Sequence, residues 1–152
     1  MRSWAVGLVV AVLGMVAVAI ALIAVIAVVG RSDATSIVDL EVGDCFDLPD
    51  DAADRIDLVD VVPCDDLHEV EVVLVGELNP DGDAEYPADD ELFALADERC
   101  RLADVDRDRF GLVPFAPTED TWNGAAGRFA CLALPFGGGS ITGSIVDGTI
   151  DG

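Results

Sequence analysis

Apolar and polar positions divide this chain into two unlike parts. From Trp4 to Val29 there is no charged residue and nothing more polar than glycine. A bilayer core of ~30 Å needs ~20 helical residues at ~1.5 Å each, so this run predicts one transmembrane helix. Beyond it the pattern breaks into short segments. Val38, Leu40 and Val42 alternate with Asp39 and Glu41, which predicts a half-buried strand running on to Cys45 and Phe46. A loop over 48–55 separates it from a second strand over 56–64, closed by Pro63, which has no N–H to give a ladder. The segment 69–78 predicts the central strand, with Val70, Val72 and Leu74 on one face and Val73 and Val75 partly on the other.

A turn-rich loop, 79–90, leads to one helix over 89–103. Leu92, Leu95, Ala96, Cys100 and Ala103 recur at helical spacing, and Asp89, Asp90 and Glu91 suit the positive helix start. Residues 104–127 show little periodicity and predict an irregular wrap anchored by Phe110, Phe115 and Trp122. Strands over 128–136 and 140–146 complete the expectation. The fold class is a small α+β domain, a mainly antiparallel sheet with one helix, behind a single N-terminal transmembrane helix. The expected organisation is a cytoplasmic end and transmembrane helix over 1–30, a tether over 31–37, and the outer domain over 38–152.

Charge and cysteines orient this arrangement. Arg2 precedes the apolar run, and Arg31 after it is answered by Asp33, so the positive-inside rule favours a cytoplasmic N-terminus. All four cysteines, Cys45, Cys64, Cys100 and Cys131, follow the run, as suits the oxidising side of a membrane. The run exceeds a signal-peptide core of ~7–15 residues, which favours an uncleaved signal anchor, with removal near Ala24 or Ala27 as the alternative. Of three possible connectivities, Cys45–Cys64 with Cys100–Cys131 is the least entangled.

With 30 acidic residues against eight arginines and no lysine, the net charge is −22. Such a surface repels nucleic acid and excludes it as a partner. The acidity suits solubility, a saline habitat or a basic protein partner.

Three chemistries compete around the chain's single histidine and its acidic loop. Cys64 and His68, with Cys45, suggest zinc, but no Cys-x-x-Cys or second histidine completes the set. A Cys–His nucleophile needs a free thiolate, which a disulfide removes. Asn79, Asp81, Asp83 and Asp90 fall at calcium-loop spacing, yet Ala84 stands where such loops need glycine. No nucleophile-elbow, phosphate-loop or zincin motif occurs, so the expectation is a non-enzyme without a cofactor.

Several short stretches resemble the septum formation family of actinobacterial extracytoplasmic domains. They are Val42–Phe46 (VGDCF), Val61–Val73 (VVPCDDLHEVEVV), Tyr86 and Pro87 before the Cys100 helix, the series Pro117, Trp122, Gly127, Arg128 and Cys131, and Ile141–Ile145 (ITGSI). The resemblance spans roughly 40–145. It implies a membrane-tethered domain at the division septum and a shared role, structural or binding, for His68 and Glu71. Trp and Arg are favoured binding anchors, so His68, Glu71, Trp122 and Arg128 form the candidate interaction surface. The competing expectation is an acidic, calcium-responsive envelope domain with no septal role.

Overall fold

The structure, a computed structural model, describes residues 34–49, 56 and 58–150. The apolar run Trp4–Val29 lies outside the described residues, as does most of the loop at 50–55. No helix among the described residues is long and apolar enough to cross a membrane.

Among the described residues six strands form one sheet: β1 (Ala34–Ser36), β2 (Cys45–Phe46), β3 (Leu58–Val62), β4 (Val70–Glu77), β5 (Phe110–Phe115) and β6 (Arg128–Pro135). Their order is β1-β3-β2-β4-β6-β5, and every pairing is antiparallel. The main helix, α1 (Asp89–Cys100), lies against β5 and β6. A second, shorter helix, α2 (Glu119–Gly124), follows β5. The mainly antiparallel sheet, the main helix and both disulfides are therefore as the sequence predicts.

Alternation along β6 builds two cores, one on each side of the sheet. Ala130 and Leu132 join Val70, Val72, Phe46, Ile37 and Leu40. Phe129 and Cys131 point the other way, toward Cys100 on α1. The Cys100–Cys131 disulfide, with a Cα–Cα separation of 5.4 Å, staples helix to sheet there. Leu92, Ala96 and Cys100 recur every fourth residue and are buried, whereas Leu95 is exposed. Arg107 donates to the Cys100 and Ala103 carbonyls and closes the helix end.

The central strand departs from simple alternation. Val72 pairs with Leu132 and Leu74 with Cys131, so Val73 is an extra residue, a β-bulge. The inserted residue reverses the phase. Leu74 therefore joins the Cys100–Cys131 side, and Val75 replaces it beside Val70 and Val72.

Four other expectations change. The first strand contracts to Cys45–Phe46, because Ile37–Asp39 forms a 3₁₀ turn that buries Ile37 and leads into the buried Leu40. Residues 34–36, expected in the tether, form β1 and pair with β3. The supposed wrap contains β5, paired along its whole length with β6, and α2. The last strand reduces to bridge residues at Ile141, paired with His68, and Thr142, since the N–H groups of Ile145 and Val146 find a carboxylate instead of a strand.

Candidate functional site

Register places Cys45 opposite both Val62 and Glu71. Opposed residues on antiparallel strands point to the same face, so Cys45 and Glu71 stand together. Cys64 lies two residues beyond Val62, where alternation returns it to that face, and it is bonded to Cys45. The predicted pairing of all four cysteines is thus realised.

Glu71 is fully buried, and a buried carboxylate needs donors. The chain's C-terminal loop supplies them. Ser144 Oγ donates to Oε1 at 2.6 Å, the Val146 N–H donates to the same oxygen at 3.2 Å, and the Ile145 N–H donates to Oε2. Hydrogen bonds to a charged group contribute about 1.5–3 kcal/mol each, so this carboxylate clamps the loop to the sheet. Thr149 closes the loop on itself, its hydroxyl accepting from the Ser144 N–H at 2.9 Å. Gly143, at φ +90°, donates to the Cys64 carbonyl at 2.7 Å. A Cβ there would collide with the Thr149 carbonyl, so only glycine fits.

His68 is equally buried and holds the same loop through its backbone, exchanging N–H to carbonyl bonds with Ile141 at 3.0 and 2.8 Å. Its Nδ1 lies 3.0 Å from the Asp66 carbonyl. A carbonyl only accepts, so Nδ1 donates to it, which leaves Nε2 as the other ring nitrogen. That Nε2 is buried with no hydrogen-bond partner among the described residues.

Trp122 occupies a different place. At 2% exposed it is interior, donating from Nε1 to the Ala84 carbonyl at 2.7 Å and meeting Tyr86 edge-on at 5.8 Å. Arg128 is half-buried and donates to the Leu40 carbonyl at 2.7 Å. Arg128 pairs with Glu77 at one end of β4, whereas Glu71 lies near the other, about 20 Å away at the usual rise per residue. The four residues expected to share a surface therefore split into two groups, and three of them are interior. They shape surfaces and do not form one. Arg128 alone reaches a cleft, of about 690 Å³, lined also by Asp39, Glu41, Glu77 and Asp81.

The calcium spacing is not assembled either. Asn79 is buried, its amide donating to the Trp122 carbonyl and Asn123 and its oxygen accepting from the Ala84 N–H. It organises its own loop. Asp81 and Asp83 stay in that loop, and Asp90 belongs to the first turn of α1.

Sequence reasoning gave Ser144 and the N–H groups of Ile145 and Val146 no role. The available signal was an acid between valines on the central strand, whose side chain must face inward and be met by donors. A cleft of about 430 Å³ opens beside this clamp, bordered by Val42, Gly43, Cys64, Asp65, Ser144, Val146, Asp147 and Thr149. Compared with known families, curated proteins and solved structures, the chain finds no match.

Proposed function

We propose that this protein is a membrane-anchored, extracytoplasmic, non-enzymatic interaction module associated with the division septum. The observation that carries the reading is the join between its parts. A domain holding two disulfides begins at Ala34, close behind the charge-free run ending at Val29. Disulfides persist on the oxidising side of a membrane, which fits a helix that anchors and a domain displayed outside. The resemblance to the septum formation family adds the division site. The chemistry in hand also suits a binding role: the single histidine is interior with its Nδ1 bonded to a backbone carbonyl, and every cysteine is paired. Arg128 and its four neighbouring carboxylates mark the face for a partner segment that is basic overall.

Imaging dividing cells tests this. The full chain carrying a fluorescent protein at its N-terminus is expected to enrich at midcell, and a chain lacking Asp39–Gly152 is expected to spread evenly. Even distribution of both would remove the septal assignment. The same acidic cleft favours one second reading, a calcium-responsive envelope domain. That reading requires millimolar calcium to raise the melting temperature relative to EDTA, because a ligand of the native state stabilises it.

A further inference from the structure

Cys45 Sγ, Cys64 Sγ and a Glu71 carboxylate oxygen lie within 4.8 Å of one another. No other trio of cysteine, histidine or carboxylate ligands is so gathered among the described residues. We propose that, once the Cys45–Cys64 disulfide is opened, these three side chains bind a zinc-class divalent cation, reached through the cleft beside Cys64.

The ligand types and their spacing fit. Zinc takes thiolate sulfur at ~2.3 Å and carboxylate oxygen at ~2.0–2.2 Å in a tetrahedron, and an open site uses three protein ligands and one water. The sulfurs need only part from bonding distance. The Cys64 side chain has room to turn, since it is partly exposed at the cleft, while Gly143 holds its backbone carbonyl. Glu71 has room for a metal bond: Oε1 already accepts twice, but Oε2 accepts from the Ile145 N–H alone and keeps a lone pair. The loop donors then become an outer shell that fixes the carboxylate, the arrangement that tunes metal sites generally. Asp65 and Asp147 border the cleft and draw cations toward it. The ligand beside the two cysteines is therefore Glu71, where the sequence had suggested His68.

The chemistry balances with a dithiol reductant. It delivers two electrons and two protons, closes its own disulfide, and leaves Cys45 and Cys64 as thiols. The cation then displaces both thiol protons and is held by two thiolates and one carboxylate. Disulfide and metal site exclude one another, so redox state switches the affinity.

The test uses the full-length chain in non-ionic detergent, reduced with a dithiol, desalted without oxygen and titrated with cobalt(II). Reduced protein is expected to develop a thiolate-to-cobalt charge-transfer band that zinc abolishes and that oxidised protein never shows. Alkylation is expected to label the partly exposed Cys64 in reduced, metal-free protein and to spare it once the cation is bound. Glu71→Gln is expected to weaken binding by more than about tenfold, since even outer-shell changes cost that much. Absence of the band, any other protection pattern, or undiminished affinity in a folded E71Q chain overturns the proposal. The protection pattern in the unaltered chain decides the matter even if E71Q misfolds. None of these readouts involves septal localisation, so the two proposals fail separately.

Discussion

Tyr86 shows how one side chain reports its surroundings. It is the chain's only tyrosine. Its phenol is pushed above the ordinary value of 10.0, first by desolvation and then by the carboxylates of Asp89 and Glu119. The neutral form is also the one that donates, at 3.3 Å, to the Pro117 carbonyl. The folded state thus favours the protonated phenol. Its contribution to stability is full below pH 10.0 and is lost as pH rises through the folded value. Phenolate absorbance against pH is expected to show a higher midpoint in native than in urea-denatured protein. Coincident midpoints would sink the assignment. The same scale explains Glu71, whose burial is tolerable only because Ser144 and two N–H groups meet it.

At the scale of elements, the connection from α2 into β6 depends on one glycine. Gly127 has φ +62°, and its carbonyl accepts from the Leu78 N–H at 3.0 Å, joining the end of β4 to the start of β6. A Cβ there would stand 3.0 Å from the Trp122 ring and 3.1 Å from the Asn79 nitrogen. Gly127→Ala is expected to cost about 2 kcal/mol or more, combining left-handed backbone strain with displacement of the tryptophan. Gly137 makes a clean comparison, since its φ is +89° but a Cβ there meets nothing within 4 Å. Gly137→Ala should carry the backbone part alone, about 1–2 kcal/mol. Urea unfolding of both variants checks this, and equal losses would show that the Trp122 contact contributes nothing. The bulge at Val73 works at this scale too: one inserted residue decides which valines face which core.

For the whole domain, the disulfides are the long-range ties. They span sequence separations of 19 and 31 residues. In the chain-entropy account each stabilises by about 3–4 kcal/mol, too similar to rank them. Packing ranks them instead. Cys100 and Cys131 are both buried between helix and sheet, whereas in the other pair only Cys45 is buried and Cys64 is partly exposed beside a cleft. Replacing Cys100 and Cys131 by alanine therefore also empties core volume. That double variant is expected to lose more stability than the Cys45, Cys64 counterpart, by urea unfolding of the full-length chain. Equal losses would mean the helix–sheet staple acts through chain entropy alone.

Local pattern determined a good deal of this protein by itself. Alternating valines announced β4, a four-residue apolar spacing announced α1, and the cysteines' places on successive elements selected their pairing. Each of these signals is carried by residues close together in sequence, where backbone geometry fixes which side chains share a face. Tertiary structure decided the rest. β5 escaped notice because its apolar residues are interrupted by Gly111 and Pro114, and only pairing with β6 makes it a strand. The last strand was lost to a carboxylate. Glu71 and Ser144 are 73 residues apart, and no periodicity within either segment encodes their meeting. Whether an inward acid becomes a clamp, a ligand or a liability depends on which donors the finished fold brings to it, and that is settled by the fold's long-range contacts.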